Sequence, residues 1–178
     1  MKSNEKFFAF SIITITIIFA MLNRKVISAI HRAISEPFFL PVIPLTPRKC
    51  DNFGCGNFGA SRDGGTRKHM GQDYLAKVGQ PVFAPISGTF STGSAYASGQ
   101  YRELRYCKIT SETGAVSVAI MYAKPGLSSG ERVEAGQVIG EVQSLQGRYP
   151  GINNHIHVEV KVSGIKVDPA PYFKKTVA

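Results

Sequence analysis

Four polar side chains, placed in two short motifs, carry the chemistry that this sequence offers. His69 and Asp73 stand four residues apart with Gly71 between them, so a bend could turn both toward one point. His155 and His157 stand two residues apart in an alternating polar and apolar run. In a β-strand, residues at this spacing project from the same face. Two imidazoles and one carboxylate are a common catalytic zinc set, although either motif alone is more often a surface or core pair.

Short β-strands joined by turns are the elements that must position these residues. From Cys50 onward no segment keeps a 3.6-residue period, and apolar alternation recurs between glycine and proline turn signals. This pattern predicts an all-β domain, mainly an antiparallel sheet or sandwich. The strand-rich runs lie at residues 78–90, 114–124, 131–143, 155–162 and 167–173.

The N-terminus predicts a hydrophobic helix that targets or anchors the protein. Residues 7–22 are apolar and uncharged, and a helix of this length spans about 24 Å, slightly less than a bilayer core. The cations that follow this segment would favour a cytoplasmic C-terminal side, which conflicts with export. We divide the chain into a signal peptide or membrane anchor at 1–25, a proline-containing linker at 26–49 and a β domain at 50–178.

Composition narrows the classes of function. The chain has 178 residues, of which 43% are hydrophobic, and this suits one domain with a real core plus a leader. Residues 1–49 carry +5 of the formal net charge of +9, so the folded part is only mildly basic. A solvated surface and a basic leader account for this charge, and a polyanionic partner is the alternative. There is no nucleic-acid-binding motif, so we expect no nucleic-acid partner.

The three cysteines bear on the cellular compartment. Cys50 and Cys55 bracket a tight loop that contains a glycine, and they are close enough for a disulfide to span. Cys107 is left over, and we expect it to be a buried thiol. This usage suggests an oxidising compartment. We therefore expect a protein that is secreted, or membrane-anchored and facing the extracellular or periplasmic side.

The order of the motifs resembles the lysostaphin/LytM-type zinc metallopeptidases. The matching segments are H-x-G-x-D at 69–73, the glycine-bounded stretch 79–88, V-x-x-G-x-x-I-G at 133–140, H-x-H-x-E at 155–159 and D-P at 168–169. The resemblance covers roughly residues 60–173 and implies a β-sheet groove with Zn²⁺ on its floor. It implies that His69, Asp73 and His157 are the metal ligands and that His155 helps to activate the attacking water.

One position departs from this family. The peptidases carry a second non-ligand histidine in a Y-x-H-L-like segment, and here Lys124 stands at that position. An ammonium with a pKa near 10.4 is a poor general base, although a point charge could stabilise an oxyanion. The leukocyte cell-derived chemotaxin-2 subgroup shares this departure, and the chain also resembles it in the loop 50–56 and the run 149–152. That resemblance implies zinc binding without peptidase activity.

Two functions follow from these patterns, and a β domain that binds no metal is the third alternative. The first is an exported zinc-binding domain, non-catalytic or weakly catalytic, that binds an unknown protein receptor or a cell-wall peptide. The second is an active zinc metalloendopeptidase that cleaves peptidoglycan cross-bridge peptides. Lys124 favours the first, whereas His155 and the open fourth metal position favour the second. An uncleaved N-terminal segment would also hold either protein at a membrane.

Overall fold

The structure is a computed structural model that describes residues 38–96, 99 and 101–173, together with Arg24, Ile27 and Ser28. The predicted N-terminal helix, and with it the signal peptide or anchor at 1–25, lies outside the described residues except for Arg24. Among the residues that are described, no helix combines the length and the apolar character that a membrane span requires.

The described domain is built from short strands, which confirms the predicted antiparallel β architecture. The strands are β1 (Thr46–Pro47), β2 (Cys50–Asp51), β3 (Gly54–Cys55), β4 (Ser61–Arg62), β5 (Arg67–Lys68), β6 (Gln72–Leu75), β7 (Pro81–Phe83), β8 (Gly88–Ser94), β9 (Arg105–Thr110), β10 (Val116–Met121), β11 (Ala123–Pro125), β12 (Arg132–Val133), β13 (Val138–Val142), β14 (His155–Val162) and β15 (Ile165–Val167). Two 3₁₀ turns, Asp63–Gly65 and Ala170–Tyr172, complete the described elements.

One large antiparallel sheet carries most of these strands. Its order is β1-β6-β14-β10-β9-β8-β12, and β15 pairs with β14 beside this path. A second sheet has the order β11-β13-β7. The chain passes from the large sheet to the small one at Tyr122, between β10 and β11, where φ is +66°. This left-handed conformation interrupts the regular alternation of side chains between the two faces of the chain at the point where it leaves one sheet for the other.

Strand β14 separates the core from a polar face. Ile156, Val158 and Val160 are fully buried in the main hydrophobic cluster. The alternate residues, His155 and His157 among them, are also buried but project to the opposite side, because successive side chains of a strand point to opposite faces. The period-two pattern at 155–162 thus predicted this strand with its correct bounds.

Residues 38–49 belong to the folded domain, which corrects the linker that we placed at 26–49. Phe38 and Val42 are 3% and 0% exposed and join the core. Phe38 stacks on Tyr172 with ring centroids 5.0 Å apart, and β1 pairs with β6. The prolines of this stretch prevent a long helix, as expected, but they do not keep its apolar side chains from packing on the sheet.

The disulfide that we expected between Cys50 and Cys55 is present, and it closes the hairpin of β2 and β3. Cys107 lies on β9, is fully buried and takes no part in a disulfide. Burial raises the pKa of the Cys107 thiol to about 12, so this group stays protonated and behaves as a core residue.

Replacing Phe38 tests whether residues 38–49 are part of the domain. We expect Phe38→Ala to lower the free energy of unfolding by about 3–5 kcal/mol, because it removes a buried aromatic ring. Phe39→Ala is the matched control: Phe39 is 39% exposed, and its loss is expected to cost about 1 kcal/mol or less. Urea denaturation of the two variants checks this, and equal losses would contradict the assignment.

Candidate metal centre

Strand register brings together two of the residues that the sequence singled out. β6 runs antiparallel to β14, with Asp73 directly opposite His157 and Gln72 opposite Val158. Side chains opposed in this way lie on the same face of a sheet with Cβ atoms roughly 5 Å apart. Residues 84 positions apart in the chain therefore share one site.

His69 completes a compact cluster from the loop that precedes β6. Its Nε2 atom lies 2.9 Å from Nδ1 of His157 and 3.2 Å from Oδ1 of Asp73. The third edge of this triangle, from Nδ1 of His157 to Oδ1 of Asp73, is 2.9 Å. All three residues are buried. The ligands of tetrahedral zinc lie roughly 3.3 Å apart at bonds near 2.0 Å, so this donor set fits a zinc ion after small movements.

The outward-facing nitrogen of each clustered imidazole also has a partner. Nδ1 of His69 donates to the backbone carbonyl of Asn57 at 2.9 Å, which leaves the Nε2 lone pair facing the cluster. Nε2 of His157 lies 3.4 Å from Oε1 of Glu159, and Lys166 donates to the same oxygen at 2.6 Å. Such partners fix the tautomer and the orientation of metal-binding histidines.

Burial and polar contacts shift the pKa values of Asp73 and His157 in opposite directions. Burial opposes ionisation of Asp73, but its contacts with His157 and His69 outweigh this effect and hold the pKa of Asp73 well below the usual range. Burial likewise lowers the pKa of His157, but its contacts with Asp73 and Glu159 outweigh this and raise it. The centre therefore holds a carboxylate ready to serve as a ligand.

His155 lies beside the cluster. Its Nδ1 donates to the carbonyl of Asn153 at 2.7 Å, and its Nε2 lies 3.7 Å from Oδ2 of Asp73. Burial lowers the pKa of His155, and the nearby Asp73 carboxylate offsets only part of this effect. His155 is thus a neutral imidazole whose Nε2 lone pair faces the groove, the arrangement that a general base needs.

Lys124 does not face this centre, contrary to the role we considered for it. The left-handed conformation of Tyr122 interrupts the alternation, so Ala123 enters the core and Lys124 projects to solvent. Its Nζ pairs with Glu141 at 3.3 Å, and both side chains are more than half exposed. The ammonium therefore cannot place a point charge on a ligand in the groove.

A groove of about 520 Å³ opens over the cluster. One wall carries three tyrosine hydroxyls: that of Tyr96 lies 3.0 Å from that of Tyr122 and 3.1 Å from that of Tyr149. The Arg148 guanidinium stacks 4.0 Å from the centre of the Tyr96 ring, and Phe53 meets Tyr149 edge-on. Sequence reasoning missed this wall, because tyrosines far apart in the chain leave no spacing signal.

Comparison with known proteins supports the fold and the family. A family model described as Peptidase family M23 matches residues 67–169. Myeloid protein 1 of Gallus gallus is 37% identical over an alignment of 121 residues that covers 63% of this chain and 34% of that protein, so this chain spans about a third of that relative. Leukocyte cell-derived chemotaxin-2 of Mus musculus is 34% identical over an alignment of 117 residues that covers 63% of this chain and 71% of that protein.

A solved structure agrees with the sequence relatives. The catalytic domain of the antimicrobial peptidase lysostaphin from Staphylococcus simulans superposes with a TM-score of 0.53 at 24% identity, covering 67% of this chain and 90% of that one. At this identity the likeness shows the fold alone. These comparisons confirm the resemblance to the lysostaphin/LytM-type fold and to the chemotaxin-2 subgroup. Because the family model matches more than half of the chain, and because the chemotaxin-2 match covers 71% of that protein, the chain belongs to peptidase family M23.

Proposed function

We propose that this domain is exported, binds one Zn²⁺ ion through His69, Asp73 and His157, and acts by binding a partner with little or no peptidase activity. The donor set and its buried, hydrogen-bonded setting support the metal. When bound, zinc supplies a Lewis acid that polarises a carbonyl and acidifies water. The Cys50–Cys55 disulfide supports an oxidising compartment.

The observation that carries the non-catalytic function is that the described part of the groove has no second non-ligand imidazole beside His155. Among the described residues that line it, His155 is the only histidine besides the two proposed ligands. At the end of β10 the groove receives Met121 and Tyr122, while Lys124 lies outside it. The peptidases that this chain resembles place a histidine in this segment, and without it the transition state loses one contact, worth about 2.7–4 kcal/mol for one oxyanion donor.

The groove suits a peptide segment as its partner, either from a protein receptor or from a cell wall. Its tyrosine wall offers aromatic faces of the kind that are enriched in protein interfaces. Its basic side chains include Arg67 and Lys166, which are already paired with Asp63 and Glu159. A polyanion therefore has less support than a peptide, because part of the positive charge is neutralised within the domain.

Peptidoglycan endopeptidase activity is the second candidate, and the geometry of His155 favours it. A neutral imidazole beside a proposed metal centre could take a proton from water. Hydrolysis would then depend on one histidine, His155, whose ring meets that of Tyr122 with centroids 5.7 Å apart.

Removing single imidazoles tests the proposed ligand set. We expect the full-length chain to bind one equivalent of Zn²⁺ and His69→Ala or His157→Ala to weaken binding more than about 100-fold, beyond the usual effect of supporting residues. His155→Ala is the control and is expected to keep the stoichiometry of the parent. Isothermal titration with Zn²⁺ measures this, and a parent that binds no zinc would sink the proposed function.

Gly71 offers a second test of the same centre. A Cβ atom at Gly71 would lie 2.5 Å from the carbonyl oxygen of Val158 and 2.6 Å from Nε2 of His157. We expect Gly71→Ala to displace His157 and to lower zinc affinity about 10- to 100-fold. Gly147→Ala is the matched control, since a Cβ there meets no atom within 4 Å. Equal affinities in folded samples of both variants would contradict this geometry.

Cleavage assays separate the two candidate functions. We expect the zinc-loaded full chain to leave pentaglycine and cell-wall cross-bridge peptides uncut, as followed by mass spectrometry. We also expect Lys124→His to gain no activity, because this position faces solvent rather than the groove. Cleavage by the parent that disappears in His155→Ala would instead establish the endopeptidase.

A further inference from the structure

Arg48 is a buried cation beside the proposed metal-binding cluster. Only 4% of the residue is exposed, and it follows β1 at the edge of the large sheet. A buried guanidinium is stable only where carboxylates and hydrogen bonds compensate the loss of water. Arg48 has two such carboxylates: Nη1 donates to Oδ2 of Asp73 at 3.1 Å, and Nε donates to Oδ2 of Asp51 at 3.2 Å. A further ion pair joins Nη2 to the other oxygen of Asp51.

The two carboxylate oxygens of Asp73 have different partners. Oδ1 faces the ring nitrogens of His69 and His157, whereas Oδ2 is held by Arg48. The terminal torsion of an aspartate is broad, so a carboxylate without a second partner can rotate and present either or both oxygens. A planar guanidinium that is itself fixed removes this freedom.

The position of Arg48 is fixed because Asp51, in the disulfide-closed hairpin of β2 and β3, binds its guanidinium. Asp51 lies within the loop that Cys50 and Cys55 close, and its Oδ1 also accepts the backbone N–H of Phe53 at 2.8 Å. Both of its oxygens are thus engaged, and its position relative to Arg48 follows from the shape of the hairpin.

The backbone secures the same three segments to one another. The N–H of Arg48 donates to the carbonyl of Asp73 at 2.9 Å, and the N–H of Asp73 donates to the carbonyl of Gly56 at 2.8 Å. A Cβ atom at Gly56 would lie 2.6 Å from the Arg48 carbonyl oxygen and 3.0 Å from Cβ of Asp73. Only glycine allows the hairpin to sit this close to β6.

We propose that Arg48 is a positioning residue for the metal centre: anchored by Asp51 in the disulfide hairpin, it holds Asp73 so that one oxygen alone is offered to the metal. This inference rests on the proposed zinc function. Two physical effects of Arg48 oppose each other. Its positive charge repels a cation, whereas its hydrogen bond pre-organises a ligand. The proposal is that pre-organisation is the larger effect, so the sign of the change on mutation decides it.

The test is zinc affinity of the full-length chain, measured by competition with a chromophoric chelator. We expect Arg48→Met to weaken binding about 10- to 100-fold, as for other residues that orient ligands. Arg48→Lys keeps the charge but cannot grip two carboxylates, so we expect it to recover only part of the affinity. Arg62→Met is the matched control, since Arg62 lines the same groove but donates to the backbone carbonyl of Cys55, and it is expected to match the parent.

Two further measurements distinguish positioning from general support of the fold. Asp51→Asn is expected to weaken zinc binding in the parent but to have no further effect when Arg48 is already Met or Lys, because both changes act on one contact. In the Co²⁺-substituted protein, the visible absorption bands report coordination number, and we expect them to change in Arg48→Lys but not in Arg62→Met.

The outcomes are separable. A parent that binds no zinc overturns both the proposed function and this inference. A parent that binds zinc, together with folded Arg48 variants of equal or higher affinity, overturns the positioning role alone. If Arg48→Met does not fold, Arg48→Lys decides the matter: unchanged affinity and unchanged Co²⁺ bands would refute it.

Discussion

The pairing of β6 with β14, in the register that opposes Asp73 to His157, is the constraint on which the rest of the structure depends. A strand alternates its side chains between two faces, so a slip of one residue would move every side chain of β14 to the wrong side. Ile156 and Val158 would then leave the core, and His157 would enter it. The free energy of apolar burial therefore also fixes the proposed ligands, although the ligands are polar and contribute nothing apolar themselves.

Charge compensation is the second condition for this centre. On the face of β14 opposite the core, ionisable groups form a continuous series of contacts: Arg48 contacts Asp73, Asp73 contacts His157, His157 contacts Glu159, and Glu159 contacts the half-buried Lys166. In the described part of the chain, no buried side-chain nitrogen or oxygen lacks a hydrogen-bond partner. Such a network is stable only when complete, because removing one member leaves its neighbour as an uncompensated buried charge.

Sequence reasoning succeeded where one strand carries both the pattern and the chemistry. The alternation at 155–162 gave β14, and the two histidine motifs gave the residues that β6 and β14 bring together. It failed where tertiary packing decides. Phe38 lies in a proline-containing stretch that lacks any strand period, yet it packs on Tyr172. Arg48 carries no motif, because its significance comes from two carboxylates that meet it only in the folded domain. β9, an interior strand of six residues between β10 and β8, was missed because polar residues interrupt its apolar pattern.

One irregular backbone residue sets the direction of Lys124. The family motif alone placed Lys124 where the peptidases have a histidine, but the positive φ of Tyr122 reverses the alternation at that residue, so Ala123 enters the core and Lys124 projects to solvent. The proposed metal ligands are held by strand register and by a buried ion network, both of which the fold needs for its stability. The direction of the next side chains, in contrast, depends on one irregular residue between two sheets. In the function that we propose, metal binding and hydrolysis are therefore separable: the fold fixes the geometry of the proposed ligands but does not fix the second histidine of the peptidases.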